Sequence, residues 1–221
     1  MNKKRRLVVF LGLFMLSMFI LTGCSESGGY YRSGKKYFAN GNYEEAAKYF
    51  KEAIDENPNR AEYYIDYGMA LIGLARYDDA IDEFDRVIMD KKIAIVLGNN
   101  KRALRGKGIA YFNMLNYKEA INYFDDALDI NVLPDLNTDI LYYKGKTLMF
   151  SGDYKEAAKI FTELIDNYGE EAHILADRAY TYQKIGEFNK GLEDYDKAIA
   201  LEANNYEYYF RKFYLLRDMG L

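Results

Sequence analysis

The apolar and polar positions of this chain follow the period of an amphipathic helix. In one clear stretch, Ala46, Ala47, Phe50, Ala53 and Ile54 recur at helical spacing and form a single apolar stripe. No segment alternates between apolar and polar residues for long enough to indicate a strand. The pattern therefore predicts an all-α protein.

The same short motif occurs five times along the chain. Each copy places an aromatic residue two positions after its first residue, and successive copies begin 34, 40, 37 and 34 residues apart. A Gly, Asn or Asp before the aromatic residue is typical of the end of one helix and the start of the next. The copies begin at Gly41, Ala75, Leu115, Gly152 and Gly186.

Two further positions recur in register with the motif. A small residue lies seven positions before each copy, where it allows two helices to approach closely, and an aromatic residue follows each copy. The small residues are Gly34, Gly68, Gly108, Gly145 and Ala179, and the aromatic residues are Phe50, Phe84, Phe124, Phe161 and Tyr195.

This repeat resembles the tetratricopeptide repeat (TPR), a helix–turn–helix unit of about 34 residues. The resemblance implies a right-handed superhelical solenoid over residues 30–221, because each helix pair can bury its apolar stripe only against its neighbours. Pro58 matches the family's terminal proline in the first repeat. The repeats are placed at 27–60, 61–94, 101–134, 138–171 and 172–205, with inserts at 95–100 and 135–137 and a half repeat at 206–221.

The N-terminal residues have the layout of a secretory signal peptide. Four positive charges at residues 3–6 precede an uncharged run from Leu7 to Leu21, which is short for a membrane-spanning helix. The following Leu21-Thr22-Gly23-Cys24 resembles the bacterial lipobox. The resemblance implies removal of residues 1–23, lipid on Cys24 and attachment to the extracytoplasmic face of the cell membrane, with residues 24–29 as a flexible tether. The alternative is an uncleaved signal anchor.

Composition and charge exclude several classes of function. The net charge of −4 argues against a nucleic-acid-binding protein, and one Cys and one His leave few ligands for a metal and few groups for catalysis. Residues 29–36 read GxxxxGK but lack the Ser or Thr that a phosphate-binding loop requires. We therefore expect no enzyme activity, no cofactor and no metal.

The resemblance also implies a binding surface. In this family the first helix of each pair lines a concave groove that holds partner peptides. Here the corresponding residues combine apolar and aromatic side chains with scattered cations, which favours an apolar partner segment with some negative charge; the alternative is that some of them only cover contacts between helices. The implied groove residues are Tyr31, Lys35, Phe38, Ile65, Met69, Ile72, Arg102, Arg105, Phe112, Asn113, Tyr142, Lys146, Met149, Phe150, Tyr180, Gln183 and Lys184.

Some members of this family bind the acidic C-termini of chaperones through a clamp of Lys, Asn and Arg side chains. The corresponding positions here hold Tyr31, Lys35, Asp66, Arg102 and Gly106, and the Asp66 carboxylate would repel an acidic tail. We therefore expect no binding of chaperone tails.

The last helix carries a second candidate surface. The repeat register places Tyr209, Phe213 and Leu216 in its packing stripe, and leaves Phe210, Tyr214 and Leu215 as an uncovered apolar patch. Either this helix caps the array unaided, or the patch docks a second copy or a partner.

Two function classes follow from these expectations. The first is a lipid-anchored adaptor of the bacterial cell envelope that binds another envelope or secreted protein. The second is an assembly factor, similar to the repeat-containing lipoproteins that serve outer-membrane barrels or pili.

Overall fold

The computed structural model describes residues 26–89 and 93–221, and this part of the chain is helical with no strand. It confirms the predicted fold class. The first helix, α1, covers residues 26–39. The others are α2 (Tyr43–Glu56), α3 (Ala61–Gly73), α4 (Tyr77–Asp85), α5 (Ala94–Asn113), α6 (Tyr117–Leu128), α7 (Leu136–Ser151), α8 (Tyr154–Tyr168), α9 (Ala172–Lys184), α10 (Phe188–Leu201) and α11 (Tyr206–Asp218).

The repeated motif forms the turn inside each helix pair. The second helix of every repeat begins at the aromatic residue of the motif, at Tyr43, Tyr77, Tyr117, Tyr154 and Phe188. The residue two positions earlier has a positive φ in all five turns. Around it the backbone makes the two hydrogen bonds of a Schellman motif: in the first turn, the amide of Asn42 donates to the carbonyl of Tyr37 and that of Gly41 to Phe38.

The small residue of each repeat lies where the two helices of the pair cross. A Cβ atom added to Gly34, Gly68, Gly108 or Gly145 would lie 2.5–2.8 Å from the ring of the aromatic residue that recurs in the same repeat. These rings are buried, so the helix backbone packs directly on the ring face. The close approach predicted from the repeat register is therefore confirmed at these four crossings.

The chain divides into two compact units, Met1–Gly106 and Lys107–Leu221. In the described part of the first unit, Phe50 and Phe84 belong to separate apolar clusters. In the second unit, one larger cluster extends from Leu141 to Leu215. The boundary between the units falls within α5.

Two segments differ from the sequence-based expectation. Residues 26–29 of the predicted tether form the first turn of α1, where the Ser27 side chain is buried. The insert at 95–100 lies within α5, which makes α5 the longest helix of the described residues. The predicted signal peptide, lipobox and Cys24 lie outside the described residues. Within them, no helix is both long enough and apolar enough to span a bilayer.

The packing stripe of α11 also differs from the prediction. Leu215 is fully buried and Tyr208 nearly so, whereas the predicted packing residues Tyr209 and Phe213 are exposed. Tyr208 and Leu215 occupy the repeat positions held by Ile174 and Thr181 in α9, and those two residues are also buried. That face packs on the preceding repeat. Leu215 was therefore wrongly assigned to the exposed patch, while Phe210 and Tyr214 are exposed as expected.

Candidate partner-binding cavities

The first unit contains a cavity of about 400 Å³ on the side formed by its first helices. Three successive first helices, α1, α3 and α5, supply most of its wall. Phe38, Phe50 and Met69 give it apolar surface, while Lys35 and Arg105 bring positive charge. Ala39 and Asp66 complete the lining.

A hydrogen bond between neighbouring first helices fixes one wall of this cavity. The Tyr31 hydroxyl donates to Asp66 Oδ2 at 2.6 Å, and the ammonium of Lys35 lies 5.7 Å from the centre of the Tyr31 ring. Burial raises the pKa of the Asp66 carboxyl, against the hydrogen bond from Tyr31 and the positive charges of Lys35 and Arg102, which lower it. Burial, with the neighbouring carboxylate, also raises the pKa of the Tyr31 hydroxyl, so this bond keeps its proton on tyrosine.

The second unit contains a cavity of about 330 Å³ built from the same elements of later repeats. Met149, Phe150, Tyr154, Tyr180 and Arg211 line it. The Phe150 side chain is 55% exposed even though its ring contacts that of Phe112, with 5.7 Å between ring centres. Tyr154 and Tyr180 meet edge to face at 6.3 Å. This cavity is therefore more aromatic than the first.

The hydrogen bond between first helices recurs in the second unit. The Tyr142 hydroxyl donates to Asp177 Oδ2 at 3.1 Å, and the two residues are 35 positions apart, as Tyr31 and Asp66 are. Asp177 is buried, and Arg211 of α11 donates to its other oxygen at 3.2 Å. This Tyr–Asp pair thus connects the first helices of repeats one and two, and again of repeats four and five.

Three lysines near the cavities carry charge that no ion pair of the described residues neutralises. Lys35, Lys146 and Lys184 each lie over a tyrosine ring at 5.1–5.7 Å, and no described carboxylate lies within 4 Å of their ammonium groups. A cation held on an aromatic face is positioned without being neutralised. The structure thus places available positive charge beside apolar cavities.

The predicted groove residues fall into three groups. Lys35, Phe38, Met69 and Arg105 meet in the first cavity, and Met149, Phe150 and Tyr180 meet in the second. Ile65 is buried with Phe84 and Ala103, so the prediction that it lies on the groove surface is wrong. Met149 lines the second cavity although little of its surface is exposed. The rest lie outside both cavity linings: Tyr31, Ile72, Arg102, Phe112, Asn113, Tyr142, Lys146, Gln183 and Lys184.

The sequence-based reasoning missed Tyr154 and Arg211 as cavity residues and Asp177 as a partner of Tyr142. Tyr154 begins a second helix and Arg211 belongs to the half repeat, so neither has a groove position in the alignment. The Tyr–Asp pairs left a detectable signal, since aligning the repeats places a tyrosine and an aspartate 35 residues apart twice.

The fold and these cavities define a helical-repeat protein made of helix–turn–helix units. Sequence profiles described as tetratricopeptide repeat match residues 37–92, 105–172 and 172–205. The chain belongs to the tetratricopeptide repeat family.

Similar proteins include an Hsp70-Hsp90 organizing protein of Triticum aestivum, which is 26% identical over 208 residues. That match covers 81% of this chain but 36% of the wheat protein, so the chain spans about a third of this relative. Among solved structures, PilF of Pseudomonas aeruginosa aligns with a TM-score of 0.72 at 16% identity, covering 90% of this chain and 86% of PilF. A TPR protein of Thermus thermophilus aligns with a TM-score of 0.67 at 16% identity, covering 86% of this chain and 98% of that protein. These two likenesses concern the fold.

Proposed function

We propose that this protein is an adaptor that binds a segment of another protein in the cavities formed by its first helices. The observation that carries the proposal is the second-unit cavity, where Phe150, Tyr154 and Tyr180 surround a space of about 330 Å³. Ligand sites are typically concave, mostly apolar and marked by a few polar groups, and Arg211 supplies such a group here.

The chemistry of the cavities suggests what the partner segment contains. An aromatic wall favours a bulky apolar side chain, because aromatic contacts add to the gain from burial. The ammonium groups of Lys146 and Lys184 lie over the rings of Tyr142 and Tyr180. These charges can attract a carboxylate of the bound segment that lies next to its apolar residue. We therefore expect a segment with a large apolar residue next to an Asp, a Glu or a C-terminal carboxylate.

The proposal includes attachment to the outer face of a bacterial cell membrane through lipid on Cys24. Its support is the sequence alone: the positive residues, the uncharged run and Leu21-Thr22-Gly23-Cys24. The acidic chain is not expected to bind anionic lipid by charge, so the acyl chains would supply the attachment. An adaptor of this kind would hold its partner near the membrane.

A random peptide library displayed on phage, selected against the full chain in detergent, tests the binding function. We expect enriched peptides to carry a bulky apolar residue beside an acidic one. Phe150→Ala should weaken their binding at least about tenfold, as truncation of an interface anchor does. Lys146→Gln should weaken it by a smaller factor.

Tyr168→Ala is the matched control for Phe150→Ala. Tyr168 is also an exposed aromatic residue but ends α8, a second helix, outside both cavities. The proposal fails if no peptide family is enriched, or if Tyr168→Ala and Phe150→Ala weaken binding equally.

A further inference from the structure

The outward face of α11 carries an apolar surface that no other helix of the described residues covers. Phe210 and Phe213 are 65% and 60% exposed, and Tyr206 and Tyr214 are exposed beside them. The rings of Phe210, Phe213 and Tyr214 contact one another, with 5.7–6.2 Å between ring centres. Contiguous exposed apolar surface of this kind marks contact sites in soluble domains.

A regular second helix of a TPR unit cannot cover this face. Phe213 occupies the repeat position that holds Gly34, Gly68, Gly108, Gly145 or Ala179 in the five preceding repeats. At the four glycines a single Cβ atom would already come within 2.5–2.8 Å of the crossing ring. A phenylalanine at this position therefore excludes the usual crossing, so an occupant of this face has to pack differently.

The charges on this face complement one another when the helix meets its own copy in the opposite direction. Glu207, Phe210, Tyr214 and Arg217 follow one another at spacings of three and four residues, so they share one stripe of α11. Side-chain exposure is 60% for Glu207 and 61% for Arg217, one at each end of the stripe. Glu207 also pairs with Arg211 of its own helix, and the Arg217 guanidinium lies over the Tyr214 ring, so both keep an exposed side for a second partner. In an antiparallel pair, Glu207 of each copy faces Arg217 of the other, and Phe210 faces Tyr214.

We infer that α11 docks antiparallel on α11 of a second copy of this chain, forming a twofold-symmetric dimer. The twofold axis passes between the Phe210–Tyr214 contacts, so these aromatic residues fill the centre of the interface and the Glu207–Arg217 pairs close its two ends. Such an interface is isologous, and every contact occurs twice. A single substitution therefore changes two contacts in the dimer.

Charge reversal tests this arrangement directly. The full chain in mild detergent is examined by sedimentation over a range of concentrations. Glu207→Arg and Arg217→Glu should each weaken dimerisation about 10–100-fold, because each turns two attractive pairs into two repulsive ones. The double variant Glu207→Arg/Arg217→Glu should recover most of that loss, since it restores opposite charges at both ends.

Glu193→Arg is the matched control, because Glu193 is an exposed glutamate with a cation four residues later, as Glu207 is. It should leave dimerisation unchanged, and circular dichroism should show the same helix content in all variants. The inference is overturned if the wild-type chain is monomeric at every concentration or if the double variant dimerises no better than the single ones. It is also overturned if a different protein binds this face in place of a second copy and Phe210→Glu abolishes that binding.

Discussion

In all five repeats, one residue of the turn that follows the first helix has a left-handed backbone conformation. Gly41, Gly152 and Gly186 adopt it without strain, but repeats two and three place Ala75 and Leu115 there, with φ of 57° and 61°. A side chain with a Cβ atom is disfavoured in this region by about 1–2 kcal/mol. The Schellman hydrogen bonds hold these two residues in place, because the same two bonds form at Ala75 and Leu115.

Replacing Leu115 with glycine should therefore stabilise the protein. Leu115 is mostly exposed, so Leu115→Gly loses little packing, and relief of the strain should raise the free energy of unfolding by about 0.5–1 kcal/mol after the entropy cost of glycine. Chemical denaturation measures the change. Met114→Gly is the control in the same turn; its φ is not positive, so it should destabilise. Destabilisation by Leu115→Gly would contradict this account of the turn.

At the scale of elements, the helix pairs of the first four repeats pack a glycine of the first helix directly against an aromatic ring of the second. Gly145 of α7 faces the Phe161 ring of α8, and that ring is fully buried. A Cβ atom at residue 145 would lie only 2.8 Å from this ring. The crossing distance in this repeat is thus set by the absence of a side chain at residue 145.

Gly145→Ala should lower the free energy of unfolding by about 1–3 kcal/mol, the usual cost of overpacking a core. Gly29→Ala provides the opposite control. Gly29 lies in α1 with nothing within 4 Å of its missing Cβ, so alanine there should stabilise by up to about 1 kcal/mol. Thermal denaturation of both variants compares them. Equal effects of the two substitutions would show that close packing at residue 145 has no special role.

The sequence was sufficient to predict these crossings because they recur in register. Gly68 and Phe84 mark one crossing, and the same spacing marks the other three glycine crossings, so one inference served all four. The starts of the second helices could be predicted for the same reason. The left-handed conformation of Leu115 could not, because nothing in that residue type indicates a positive φ.

Prediction was weaker where a surface depends on neighbouring helices. The apolar stripe of α11 was assigned by analogy with complete repeats, yet Leu215 packs on the preceding repeat and is buried. For the cavities, the repeat register correctly selected the first helices but not individual side chains. Ile65 is buried, and Arg211 was not predicted to line a cavity. Both outcomes depend on which side chain fills the space between two particular helices, and the repeat pattern does not show this.

At the scale of the whole molecule, the two units contain the same arrangement of side chains. Each has a Tyr–Asp hydrogen bond between first helices, a lysine on the tyrosine of that pair, and an apolar cavity nearby. The first cavity is the more charged and the second the more aromatic. We therefore expect the two units to prefer different partner segments.

The proposed membrane attachment depends on one residue, Cys24. Cys24→Ser should leave the precursor unprocessed and without incorporated fatty acid, because the serine hydroxyl does not replace the thiol that accepts the lipid. Metabolic labelling with a fatty acid, followed by gel electrophoresis, measures both effects. Normal processing and labelling of this variant would rule out a lipoprotein attached through Cys24.

The central claim is that the cavities formed by the first helices hold a partner protein. Site-specific photocrosslinking in living cells tests it most directly, with benzoylphenylalanine placed at residue 38, 150 or 168. All three positions carry a native aromatic residue, so the cross-linker should disturb the fold little. We expect a discrete adduct of higher mass from residue 38 or 150, in the cavities, and none from residue 168. Adducts of equal intensity at residue 168, or no adduct at residues 38 and 150, would contradict the account.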